Sequence, residues 1–264
     1  MPQLQAVKSS LHSQFSWLPF SHYLFAAADN VVPLLVNEFK QASAVSPIAF
    51  SKTKEGFNPV LMMGLKEKDN LLVTAQGEWL GSYVPAYYRS HPFCMAINQR
   101  GEALLCFHQD SECVLDYLPP EGMGKHFLVE KELSPELSEI KDFLQTVENT
   151  RMASNAFCSS CEDLGLFIPW KIEPKPDAEP LAINGLYCID ENKLKSLPVG
   201  QTKSLVDSGA MGAMYYHLSS LHLINHLVLL KAKHEDAAAK EITSSVSPDL
   251  FTSARDNDLV DLDW

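Results

Sequence analysis

Twenty residues, Trp79 to Asn98 (WLGSYVPAYYRSHPFCMAIN), constrain the folding of this chain more than any other stretch. Gly81 and Pro85 punctuate the backbone, and Pro92 allows its predecessor His91 little helix. Tyr83, Tyr87, Tyr88 and Phe93 are large apolar bodies, three of them with hydroxyls that need partners when buried. Arg89, set among them, must snorkel, pair with an acid or grip an anion. Tyr83, Tyr87, Tyr88, Arg89 and His91 therefore form the candidate binding patch.

The segments around this stretch read as an α+β fold: a mixed, mostly antiparallel sheet packed with helices. Leu34, Leu35, Val36 and Phe39 give a helical stripe, with Pro33 near its first turn. Pro47 to Phe50 starts a strand, and the continuous apolar run Pro59 to Leu65 predicts a central one. Asn70 to Thr74 is its expected partner, Ala103 to His108 reads as a strand, and Glu112 to Leu115 as a strand or short helix. Ser134-Pro135-Glu136 is a helix start, and the apolar spacing from Leu137 to Leu164 carries one long helix, or two in series, to a C-cap at Gly165. Phe167 to Ile172 and Leu186 to Ile189 read as strands, Asp190 as the cap of a short helix, Gln201 to Ser208 as a helix, and Ala213 to Lys233 as a long amphipathic helix. A polyproline-like link, Glu173 to Asp177, marks a soft boundary, giving an N-terminal part (1–172), a C-terminal part packed on it (173–234) and a tail (235–264). That tail carries a net charge of −6, half the −12 of the whole chain, and its composition predicts disorder.

The charge balance argues against nucleic acid as a partner, because the phosphate backbone is held by concentrated Lys and Arg. The longest apolar stretches are broken by Asp29, Asn30 and Pro33, or by His222, Asn225 and His226, so no transmembrane segment is expected. The first residues lack the apolar core of a secretory signal, which points to the cytoplasm unless another route exports the chain. Six cysteines in 264 residues are too few for a disulfide scaffold and read as buried free thiols.

Other possible chemistry is incomplete. Cys158 and Cys161 form a CxxC, but zinc needs a second pair, and a redox motif belongs at a strand-to-helix junction rather than late in a helix. His222 and His226 lie one turn apart, with Leu223 where the HExxH metalloproteases carry a glutamate, and no third ligand can be named. His217 is about 140° round the same helix from His222. GxSxG, GxGxxG and P-loop patterns are missing. No metal or cofactor is expected, and the residues lean against catalysis. The catalytic alternative has Arg89 holding a carboxylate or phosphate, with His91 or His108 as general base. Leu259, Leu262 and Trp264, spaced between acids at the C-terminus, offer a short motif for docking on a partner.

Tyr83-Val84-Pro85-Ala86-Tyr87-Tyr88-Arg89 with Pro92-Phe93 resembles the bacterial SapC-like family. FAAADNVVPLLVNEF (Phe25 to Phe39) with Pro47 to Phe50, Gly165 to Pro169, Gly185 to Glu191 and YHLSSL (Tyr216 to Leu221) extend the likeness over most of residues 20 to 230. The resemblance implies a soluble accessory protein of about 250 residues, unlike the membrane permease that shares the name. It implies a protein or peptide partner in a surface- or peptide-related pathway. Members lie near genes for tryptophan-halogenase-like flavoproteins, which adds the alternative that the tail ending at Trp264 is docked or modified by such an enzyme. The family supplies no catalytic residue.

Overall fold

A computed structural model of the chain describes residues 3–171 and 185–245. Its strands are β1 (Leu4–Ala6), β2 (Ser16–Trp17), β3 (Val31–Pro33), β4 (Ile48–Thr53), β5 (Gly56–Met62), β6 (Phe93–Ile97), β7 (Ala103–His108), β8 (Val114–Leu115), β9 (Lys125–His126), β10 (Leu128–Val129), β11 (Glu132–Leu133), β12 (Phe167–Pro169) and β13 (Leu186–Ile189). Its α-helices are α1 (Phe39–Ala42), α2 (Ala86–Arg89), α3 (Pro135–Asp163), α4 (Glu191–Lys195), α5 (Val199–Asp207), α6 (Ala210–Ser220) and α7 (Ile224–Ser245). The architecture is α+β, with antiparallel sheets packed against helices.

The apolar runs after Pro47 and Pro59 become the hairpin β4–β5, in register from Ile48 opposite Leu61 to Thr53 opposite Gly56. It forms the middle of a five-stranded sheet in the order β12-β13-β4-β5-β3. Having both faces covered suits a run with few polar residues. Phe50 is fully buried, and its ring meets those of Phe39, Phe157, Phe167 and His217. A second sheet, β1-β7-β6, shelters another core of Trp17, Phe93, Phe107, Phe127, Leu137 and Leu144.

Helix α3 serves both cores. Leu137 and Leu144 enter the second, while Phe157, Cys158 and Cys161 enter the first. It begins as its sequence predicts: the Ser134 hydroxyl accepts the Leu137 N–H, and Pro135 fills the first turn. It ends in a Schellman arrangement. Gly165, at φ +60°, donates to Glu162 O, and Leu166 donates to Cys161 O.

Two expectations fail and two boundaries shift, each for a local reason. The stripe at Leu34 to Phe39 is not a helix: Val31–Pro33 pairs with β5, Leu34 N–H reaches Pro59 O, and a short 3-10 turn at Val36–Glu38 precedes the single turn of α1. Pairing with a sheet edge overrides the helical spacing. Asn70 to Thr74 is not a strand, because the Asn70 side chain binds Ala26 O and the Leu72 N–H and bends the chain, leaving one bridge between Val73 and Trp79. The helix expected from Ala213 to Lys233 divides into α6 and α7 around a 3-10 turn at Leu221–Leu223. There Ser220 donates to His217 O and accepts the Ile48 N–H, turning the ends of two elements toward each other. Finally, α7 continues to Ser245, so Glu235 to Ser245, expected in the disordered tail, is helical. The alanines at 237–239 and the Lys231–Glu235 pair favour that extension. The link at Glu173 to Asp177, the boundary drawn there and the motif Leu259, Leu262 and Trp264 lie outside the described residues.

Candidate functional site

The five candidate residues lie around the single turn of α2, which divides them between two environments. Pro85, at φ −54°, leads into that turn, and a cis peptide joins His91 to Pro92 at the entry to β6.

On one side lies an internal acid. Glu38 is buried, and its Oε1 accepts the Tyr83 hydroxyl at 2.6 Å and the Ala86 N–H at 2.8 Å. Its Oε2 accepts the Leu35 N–H at 2.8 Å. Arg89 donates to the Tyr83 hydroxyl at 3.1 Å and stands 3.7 Å from Glu38. The guanidinium also lies over the Tyr83 and Phe143 rings, with 45% of its side chain still exposed. Burial first, and the Glu38 hydrogen bond second, hold the Tyr83 phenol protonated well above its ordinary range. This cluster fastens α2 to the loop before α1. Arg89 snorkels and pairs, the first two of the roles open to it.

On the other side a cleft of about 830 Å³ opens between α2, the start of β6, the loop after β7, the segment Leu18–Phe25 and α3. Tyr87, Tyr88 and His91 line it, together with Phe20, Phe25, Asp29 and His108; Tyr83 and Arg89 do not. Tyr88 is buried and donates to Asp29 Oδ2 at 2.8 Å. Burial raises the Asp29 carboxyl, and the Tyr88 hydrogen bond partly offsets that rise. Tyr87 stands 54% exposed at the mouth. The His91 ring lies flat on Phe25, with centroids 3.7 Å apart, and its Nε2 shares a hydrogen bond with Ser111 Oγ at 3.0 Å. Burial, followed by the nearby His108, lowers His91 to about 4, so it is neutral near pH 7. Burial pushes the Cys94 thiol up to about 11.

These values limit the chemistry. A histidine whose conjugate acid lies near 4 is a weak base toward the Ser111 hydroxyl. A thiol near 11 is protonated and a poor nucleophile. What the cleft offers is apolar surface, ring faces and fixed hydrogen-bonding groups.

The remaining candidates serve the fold. Cys158 and Cys161 are buried on α3 with their thiols pushed up by burial, Cys158 to about 12. His217 is fully buried. Its Nε2 faces the Ile189 N–H at 3.0 Å and its Nδ1 faces Ile48 O at 2.9 Å. A backbone N–H can only donate, so Nε2 accepts and Nδ1 carries the proton. His222 and His226 are exposed, and no group of three potential metal ligands occurs among the described residues. No described helix is long and apolar enough to cross a membrane.

Sequence reasoning missed Glu38, whose signal was a single acid inside the apolar run Leu34 to Phe39. It also missed the cleft walls Phe20, Phe25 and Asp29, which reach His91 only through tertiary structure. The model of the family described as SapC matches residues 7–227 of the 264. No curated protein and no solved structure matches. With more than half of the chain matched, including the whole of α2 and every wall of the cleft, the protein belongs to the SapC family.

Proposed function

We propose that the protein is a non-catalytic accessory protein that binds a segment of a partner protein or peptide in the cleft beside α2. One observation carries the reading: the exposed side chains of Leu18, Leu24 and Tyr87 gather around a single open cleft that continues into a ring-lined wall. Exposed apolar surface collected in one place marks recognition more often than chance exposure. The neutral His91 and the protonated Cys94 fit binding better than turnover. The surface- or peptide-related pathway that the family resemblance implies would suit a protein partner.

The volume also favours a second reading. A cleft of about 830 Å³ falls within the usual size of small-ligand sites, so a small molecule is the alternative occupant. The Arg89-centred version of that alternative is weaker, because Glu38 and Tyr83 already engage the guanidinium.

A photoreactive benzoylphenylalanine placed at Tyr87, with a second placed at the remote, exposed Tyr215, separates these readings in cells of the source organism. A discrete protein adduct at Tyr87 and none at Tyr215 is the expected result. No adduct at Tyr87, or equal adducts at both, would remove the cleft as a protein-binding surface.

A further inference from the structure

We infer that the segment taken by the cleft is cationic: a stretch of a partner protein that sets Lys or Arg beside an apolar side chain. This rests on the reading of the cleft as a protein-binding surface and adds the chemistry of the occupant.

The lining supplies two kinds of recognition. Its floor and mouth are apolar, with Phe20, Phe25, Phe93 and Met95 inside and Leu18 and Leu24 at the edge. Its charges are of one sign. Asp29, Asp110, Glu112 and Glu148 line it, and neither Lys nor Arg does. The acids differ in how far they are already engaged. Asp29 is held by Tyr88, and Glu148 is paired with Arg151 at 2.8 Å. Asp110 and Glu112 are exposed on the loop after β7. Asp110 Oδ2 accepts the Gln3 N–H, and Glu112 Oε1 stands 3.1 Å from His22 Nε2. Three histidines, His22, His91 and His108, also line the cleft; His91 is neutral near pH 7 and does not balance these carboxylates.

An apolar cleft rimmed by acids repels anionic segments and draws cationic ones, a selection made by charge as much as by shape. That argument sets aside the chain's own C-terminus. Residues 246–264 hold five acids against Arg255, so they are repelled by the rim although Leu259, Leu262 and Trp264 would suit its floor. A second copy of this chain, at a net charge of −12, is opposed for the same reason. The aliphatic stem of Lys or Arg can lie along Leu18 and Leu24 while its head meets Glu112 and Asp110, and the neighbouring apolar side chain enters toward Phe25.

The test is selection of a displayed random heptapeptide library on the immobilised full-length protein. Tyr87→Ala and the double variant Asp110→Asn/Glu112→Gln serve as parallel targets, each checked for an unchanged melting profile. Enrichment of basic-apolar sequences that are lost on both variants is the expected result. In fluorescence anisotropy one such peptide, synthesised with a fluorescein label, should bind the double variant about fivefold more weakly. Its affinity for the native protein should fall with added salt. Enriched peptides that are acidic or uncharged, but still lost on Tyr87→Ala, would overturn the charge inference and leave the cleft reading standing. No enrichment sensitive to Tyr87→Ala would overturn both.

Discussion

At the residue scale, Glu38 outweighs Arg89, although Arg89 is the residue that draws attention in the sequence. One buried carboxylate satisfies Leu35 N–H, Ala86 N–H and the Tyr83 hydroxyl together, and fastens α2 to the loop before α1. Removing it leaves three donors without their acceptor around a buried position. Glu38→Ala should therefore cost about 2–4 kcal/mol, measured by denaturant unfolding. Arg89 is 45% exposed, and its contact with Glu38 is long at 3.7 Å. Solvent screens such a pair, so Arg89→Ala should cost under about 1 kcal/mol. Equal costs for the two variants would mean that the guanidinium, rather than the carboxylate, organises the turn. The sequence shows why the ranking is hard to foresee: an arginine among tyrosines is conspicuous, whereas Glu38 sits in a run that reads as an ordinary amphipathic stripe.

At the scale of elements, His217 and Ser220 dock the helical C-terminal part onto the five-stranded sheet. The His217 ring spans β4 and β13 by accepting from Ile189 N–H and donating to Ile48 O, and Ser220 takes the Ile48 N–H. A second proton on the ring would bring Nε2–H against the Ile189 N–H inside the core. Burial lowers the folded-state value to about 4 against 6.5 for a free side chain, and the hydrogen bond to Ile48 O only partly offsets that drop. The unfolded chain therefore takes up the proton first. Full stability is present above pH 6.5 and is lost as pH falls toward 4, at about 1.4 kcal/mol per pH unit for this one group. His217→Gln keeps a donor and an acceptor but cannot titrate. Its unfolding free energy, followed from pH 7 to 5, should fall less steeply than that of the native chain by about that slope. Parallel profiles would show that His217 does not drive the acid sensitivity, whatever His91 contributes. The strands these residues join were legible because uninterrupted apolar runs admit few alternatives, and α3 because Ser134, Pro135 and Gly165 mark its ends chemically. The break between α6 and α7 was not legible, since Ser220 acts on β4, 172 residues away in sequence. The cleft was half legible: Tyr87, Tyr88 and His91 declare themselves by type, while Phe25 and Asp29 become site residues only when the chain brings them to α2.

At the scale of the whole molecule, two hydrophobic cores share one 29-residue helix. Leu137 and Leu144 sit in one core and Phe157, Cys158 and Cys161 in the other, so α3 is a spine that runs through both. The cleft forms where the parts meet, with walls from α2, the β6–β7 hairpin and the middle of α3. A partner segment bound there would bridge the same two parts. If the spine carries their coupling, the native chain should give one calorimetric transition. Asn149 is exposed midway between the two groups of core side chains. Asn149→Pro removes a helical hydrogen bond and forces a kink at a cost of about 3 kcal/mol or more, without emptying either core. We expect that variant to split the transition in two, with the β6–β7 amides exchanging before those of β4–β5. A single transition merely shifted to lower temperature would locate the coupling in the direct contacts between the two parts and remove α3 from that role.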